Sequence, residues 1–165
     1  MIQIIPNLLG GPVGTGGIFG QLQCIATASQ TLTNVDQQLL FDTTTAGGLG
    51  PVTRVGSDIH IAEDGGYVAF LEPQVLQLKN NNETYAWLTV NGVSQPNSAA
   101  LFSASAINDN GVLSVTFAGV LKAGDIIRCH AITSVSAGAQ LQYIAAAPPR
   151  PAVAANSLIV LAFKV

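Results

Sequence analysis

The chain has 165 residues, enough for one domain with a full hydrophobic core. Hydrophobic residues reach 48% and charged residues only 9%, against about 25% charged in ordinary soluble domains, and the net charge is −3. No cluster of Lys or Arg is present to neutralise phosphates, which argues against nucleic acid or an anionic membrane surface as a partner. No apolar run approaches the roughly 18 residues of a membrane span.

The first segment, residues 1–20, is predicted to be an N-terminal arm. It is apolar, carries no charged residue and is interrupted by Pro6 and Pro12. Because a secretory signal needs a positive start, we do not expect one here. Glycines at 11, 14, 17 and 20 leave open a collagen-like alternative, but so few triplets are too short for a stable triple helix. A flexible, partly apolar tether is the favoured interpretation.

From residue 21 onward the sequence alternates between strand and turn patterns. The predicted strands are 21–32, 37–42, a short one around Ile59, 66–72, 83–90, 98–107, 112–121, 126–135, 139–147 and 156–165. The segment "TTTAGGLGP" after 42 is predicted to be a loop. No apolar residues recur at helical spacing over a helical length. About ten strands at the spacing typical of sandwiches and barrels predict a single all-β domain over 21–165.

Two turns have residues that specify a hairpin. Asn91-Gly92 is the strongest short signal for a type I′ turn, because both positions need positive φ. In the turn that ends at Gly124-Asp125, glycine permits the tight bend and the carboxylate accepts hydrogen bonds from backbone N–H groups. These residues specify the fold and imply no chemistry.

Four segments together resemble the globular-head family of complement proteins and tumour-necrosis-factor-type ligands. They are "DIHIAEDGGYVAFLEPQVLQ", "ETYAWLTVNGV", "LKAGDIIRCHA" and "SLIVLAFKV", in the family's order and at plausible spacing. The resemblance implies a ten-stranded jelly-roll sandwich that assembles as a homotrimer, and similar modules decorate or tip bacteriophage particles. It also implies that Cys24 and Cys129 share a sheet with two strands between them, about 14 Å apart. A disulfide needs Cα atoms within about 7 Å, so both thiols are expected to be free.

The residues give little support for catalysis or metal binding. His60 lies near Asp58 in "DIHIAED", but a cupin-type metal site needs further histidines, and His130 lies alone in an apolar strand. No local signature supports a Ser–His–Asp triad. We therefore expect no enzyme, no cofactor and no metal, with a calcium-binding turn at Asp109 as a weaker alternative to a simple polar turn.

Two surface motifs remain open on the sequence alone. Asn82-Glu83-Thr84 matches a glycosylation sequon, which without a secretory signal is expected to be chance. Trp87 and Tyr85 share one strand face, which favours packing in the core or at a three-fold axis over a sugar-binding platform.

The function expected from resemblance and exclusion is that of a virion structural protein. We expect a trimeric capsid decoration or cement protein on the outer surface of the capsid, bound to the major capsid protein or another shell protein. Its arm would dock through apolar side chains: Ile4, Ile5, Leu8, Leu9, Ile18 and Phe19. The alternatives are a receptor- or glycan-binding head of a phage fibre or surface adhesin, and a secreted trimeric ligand.

Overall fold

The computed structural model describes residues 17–164, apart from the side chains of residues 48 and 49. This part of the chain is all β, with fourteen strands, ten of them four residues or longer. In chain order the strands are β1 (Ile18–Ile25), β2 (Gln30–Leu32), β3 (Gln37–Gln38), β4 (Thr43–Leu49), β5 (Val52–Val55), β6 (Asp58–Ile61), β7 (Gly65–Gln77), β8 (Asn82–Val90), β9 (Val93–Ala104), β10 (Asn110–Val112), β11 (Val115–Leu121), β12 (Ile126–Thr133), β13 (Ala139–Leu141) and β14 (Asn156–Phe163). The predicted all-β class is confirmed.

The strands form two antiparallel sheets. The first has the order β2-β13-β7-β14-β1-β4. Strands β10 and β11 also pair with β7, on the side opposite β13 and β14. The second has the order β5-β6-β12-β8-β9, with β3 also paired to β12. The sheets pack face to face into a jelly-roll sandwich, in which sequence neighbours often lie in different sheets.

Alternation between buried and outward side chains determines which residues form the core. Burial alternates residue by residue along β7, β12 and β14, as the strand period of two requires. In the first sheet, Val160 lies between Leu22 and Ala69, and all three are buried. The second sheet contributes Ile59, Leu88 and other buried side chains to the same core. Both sheets therefore also have an outer face, and the functional candidates lie there.

The observed strands differ from the predicted ones in two informative places. The Gly-rich segment predicted as a loop forms β4, an edge strand that pairs with β1 through two register shifts. Gly47 has a φ of +104° beside one shift, a conformation that glycine adopts without strain, so the glycines mark bulges rather than a loop. Strand β7 continues through Pro73 to Gln77, because Pro73 lies where the neighbouring strand changes from β11 to β10 and its missing N–H costs no ladder bond there.

The expected position of the two cysteines is wrong. Cys24 lies in β1 of the first sheet and Cys129 in β12 of the second, so the strands do not share a sheet. Both side chains point into the core between the sheets and are free and fully buried. Burial raises the pKa of Cys24 to about 12 and raises that of Cys129 well above its ordinary value, so neither is a reactive thiolate near neutral pH.

Candidate functional site

The two turns singled out in the sequence lie side by side at one end of the second sheet. Asn91 and Gly92 both have positive φ, of 52° and 79°, as a type I′ turn requires, and Gly124 has a φ of +94°. The Asn91 amide donates to the Asp125 carboxylate at 2.7 Å, and the N–H of Ile126 donates to the Asn91 side-chain oxygen at 3.0 Å. The Asp125 carboxylate also accepts from the N–H of Lys122. The two turns therefore tie β8 and β12 together.

The outer face of the first sheet carries an apolar surface, which we call the apolar face. It comprises outward side chains of β1, β7 and β14, with Val120 of β11 at its rim. A shallow cavity of about 270 Å³ opens on this face. The cavity is lined by Ile18, Gln21, Phe70, Glu72, Ser157, Ile159 and Leu161. Glu72 is the only charged residue among them. Concave apolar surfaces of this kind are the usual places where proteins bind ligands or partners.

The first strand begins three residues before the predicted domain boundary at 21. Ile18 and Phe19, predicted to be part of the arm, belong to β1, and Ile18 pairs with Phe163 of β14. Phe19 packs partly against the core. The physical reason is that the apolar pair continues the alternation of β1 and covers the end of the sheet. The other candidate docking residues, Ile4, Ile5, Leu8 and Leu9, lie outside the described residues.

The carboxylate of Asp58, the acidic residue close to His60 in the sequence, takes part in a bidentate ion pair. Arg128 on β12 donates to both oxygens of Asp58 on β6, at 2.9 and 2.6 Å, and Gln38 donates to the same carboxylate. The Arg128 guanidinium holds the pKa of Asp58 below its usual range. Within residues 17–164, no group of three or more His, Cys, Asp or Glu side chains is placed to hold a metal ion. Asp58 and His60 both lie on the outer face of the second sheet.

His130 stands at the centre of a second polar chain on this outer face. Its Nδ1 lies 2.8 Å from Oδ1 of Asp36 and its Nε2 lies 3.2 Å from Oγ1 of Thr89, while its ring stacks on Trp87 with centroids 5.6 Å apart. The order Asp36–His130–Thr89 has the hydrogen-bond pattern of a nucleophilic triad. However, Thr89 is only 3% exposed, so a substrate cannot reach its hydroxyl. The hydrogen bonds from Asp36 and Thr89 hold the His130 ring against Trp87, and they provide no accessible nucleophile.

The sequon residue Asn82 is buried in a polar cluster between the sheets. Its Oδ1 accepts hydrogen bonds from Thr133 Oγ1 at 2.6 Å, Ser134 Oγ at 3.0 Å and the N–H of Val135 at 3.1 Å. Its Nδ2 donates to Gln77, which is also fully buried. A glycan on this amide is incompatible with the folded domain. The Asp109 carboxylate accepts from the N–H of Ala106 within its own turn, as expected for a simple polar turn.

Comparison with known proteins finds the fold but no sequence relative. No protein-family model matches the sequence, and no curated protein matches it. Among solved structures, Eiger TNF from S. frugiperda superposes with a TM-score of 0.59 at 12% identity, covering 89% of this chain and 94% of that one. The fold is the jelly roll of tumour-necrosis-factor-type ligands and complement globular heads. The residues described contain no helix that could span a membrane.

Two further structures support this TNF-like jelly roll. Murine APRIL at pH 8.5 has a TM-score of 0.58 at 9% identity and covers 87% of this chain and 98% of that chain. The zebrafish complement 1qA globular domain has a TM-score of 0.56 at 10% identity and covers 88% of this chain and 97% of that chain. Identities this low establish the fold alone. The fold part of the resemblance is therefore confirmed, whereas assembly and setting stay proposals.

Proposed function

We propose that this chain is a non-catalytic structural module that works as a homotrimer and uses the apolar face as one side of the subunit contact. The observation that carries the proposal is the apolar face itself. There Phe70, Ile159 and Leu161 line a cavity whose only charged residue is Glu72. Fully burying an exposed side chain of this size is worth about 1.5–3 kcal/mol, and these three, which the protomer already buries in part, would each gain about a third of that before association costs. A chain with 9% charged residues has little electrostatic repulsion to keep copies apart.

A closed three-fold ring needs two different contact surfaces on each protomer, because its interfaces are heterologous. The second surface that we propose is the edge of the first sheet that β10 and β11 form beside β7. Here Val112 of β10 and Ile107, which lies just before β10, are each more than half exposed. The apolar face of one protomer would cover this edge of the next. Closure of the ring would then remove both apolar surfaces from water.

Assembly is tested by mass in solution. A homotrimer has three times the chain mass of 16.9 kDa, or about 51 kDa, by light scattering at micromolar concentration. Leu161→Asp would bury a charge in the contact and is expected to give a folded monomer. Val55→Asp is the matched control, since Val55 is exposed on β5 of the other sheet and should leave the trimer intact. A wild-type monomer, or dissociation by both variants alike, would reject this surface.

We further propose that the trimer decorates the outer surface of a virus capsid and is attached through its N-terminal arm. The uncharged apolar segment with Ile4, Ile5, Leu8 and Leu9 supports this role, because such a segment gains little by folding alone and orders in a groove of a partner. Three copies per trimer would add avidity. The setting rests on resemblance and composition rather than on a residue with a defined task.

The attachment proposal is tested by truncation. Because Ile18 and Phe19 are part of β1, the deletion should remove residues 1–16 and no more. We expect a folded trimer that no longer binds particles. A truncated protein that still decorates capsids at full occupancy would refute docking by the arm, and loss of the trimer would assign the arm to assembly instead. A control deletion of residues 1–3 keeps Ile4, Ile5, Leu8 and Leu9 and should bind normally.

A further inference from the structure

The outer face of the second sheet ends, at strand β9, in a strip of side chains that we call the edge platform. The platform is built from outward residues of β8 and β9, two strands that pair residue by residue. It has three cross-strand rows: Trp87 opposite Ala99, Tyr85 opposite Leu101, and Glu83 opposite Ser103. With a rise of about 3.3–3.4 Å per residue, the platform is about 13 Å long.

The Trp87 indole is partly exposed and has a protein ring stacked on one of its faces. The His130 imidazole covers the face towards β12, with the two ring planes 18° apart. On the side towards β9 the opposing residue is Ala99, an exposed single methyl group. Since β9 is the last strand of its sheet, the space above Ala99 opens to solvent at the sheet edge. The Asp36–His130–Thr89 chain fixes the imidazole and thereby the orientation of the indole.

At the other end the platform runs into a polar cleft. The Tyr85 hydroxyl donates to Oε2 of Glu83 at 2.8 Å, which orients the carboxylate and raises the pKa of Tyr85. Glu83 and Ser103 form both the last row of the platform and part of the lining of a cleft of about 430 Å³. The remaining lining comes from Asn81, Asn82, Ala104 and Ser105. Among these residues there is one carboxylate and no cation, so the lining favours hydroxyl donors and repels anions.

We propose that the edge platform is a binding site for a neutral oligosaccharide. The apolar C–H face of a sugar ring would stack on Trp87 and Tyr85, because aromatic rings offer a rigid apolar surface. The hydroxyl groups of the next sugar would bond to Glu83 and Ser103 in the cleft, where a few convergent polar groups orient the ligand. The absence of Lys and Arg from the lining excludes acidic sugars as the favoured class. The inference does not rest on the proposed trimer, whose β10–β11 contact surface lies beside β9 at Gly111 and Phe102, while the platform lies on the outer face of β8 and β9.

Intrinsic fluorescence tests the site directly, because Trp87 is the only tryptophan in the chain. The full-length protein is titrated with maltotriose, cellotriose and chitotriose, and with sialyllactose as the anionic comparison. We expect a saturable change in Trp87 emission with at least one neutral trisaccharide, with a Kd of about 1 mM or below. Sialyllactose should cause no saturable change.

Two variants separate the site from non-specific effects. Ala99→Leu fills the space beside Trp87 on an exposed strand and should weaken binding about tenfold without altering the circular dichroism spectrum. Val55→Leu also places a leucine on an exposed strand, at the opposite edge of the sheet, and should leave binding unchanged. The proposal is overturned if all three neutral probes fail to saturate at roughly 10 mM, if sialyllactose binds equally well, or if Ala99→Leu binds like the wild type.

Discussion

Two buried asparagines offer a sharp test of how polar groups contribute to this core. Asn82 and Asn156 are both at most 1% exposed, so both amides have left water completely. The Asn82 amide makes four hydrogen bonds, whereas neither Oδ1 nor Nδ2 of Asn156 has a protein partner among the described residues. A buried polar group stabilises only when it is paired, and an unpaired one costs about 1–3 kcal/mol. The same residue type should therefore have opposite effects at the two positions.

The predicted free-energy changes follow from the partners that each substitution leaves behind. Asn82→Ala would strand the buried oxygen of Gln77 and the N–H of Val135, and would open a small cavity. We expect it to lower the free energy of unfolding by about 3–5 kcal/mol. Asn156→Leu keeps the branched shape and the number of heavy atoms and strands no partner, so we expect no loss and a gain of up to about 1 kcal/mol.

Urea denaturation provides the measurement, with Trp87 emission and circular dichroism as independent probes. Protein concentration must be the same for all variants, because the stability of an oligomer depends on it. A cost below about 1 kcal/mol for Asn82→Ala would show that the polar cluster does not stabilise the fold. A cost above about 2 kcal/mol for Asn156→Leu would contradict this expectation, and Asn156→Ala, which adds no volume, would then distinguish an amide paired through buried water from overpacking by leucine.

Two further predictions concern ionisable groups. Cys24, with a pKa of about 12, and Cys129 should not react with Ellman's reagent at pH 8 in the native protein but should both react in denaturant, and stoichiometric labelling of the native chain would contradict this. The lowered pKa of Asp58 means that its ion pair with Arg128 stabilises the folded state above the ordinary carboxyl pKa of about 3.9, and that this contribution disappears as pH falls through the lower folded value. Asp58→Asn should therefore cost about 1 kcal/mol in urea denaturation at pH 6, and this cost should shrink as the pH falls below the ordinary carboxyl pKa, whereas a pH-independent cost would refute the assignment.

The TNF-like fold was largely predictable because its signals are local. Alternating apolar residues specify strands, and Asn91-Gly92 specifies a type I′ turn whichever sheet it joins. The segments quoted for the resemblance lie on β6–β7, β8, β12 and β14, which form the centre of both sheets. Errors occurred where local composition and tertiary context disagree. The Gly-rich β4 has a loop composition and is a strand only because β1 offers it a partner.

The sequence by itself determined the all-β class, the two hairpin turns and the scarcity of charge, since each depends on neighbouring residues or on composition. Only the tertiary structure decided which residues meet. It placed Cys24 and Cys129 in opposite sheets, and joined Asp36 to His130 over 94 positions of chain. It also assembled the apolar face and the edge platform. The physical reason is that strand order in a jelly roll is a property of long-range pairing, and period-two alternation tells which face a residue occupies but not which strand lies beside it.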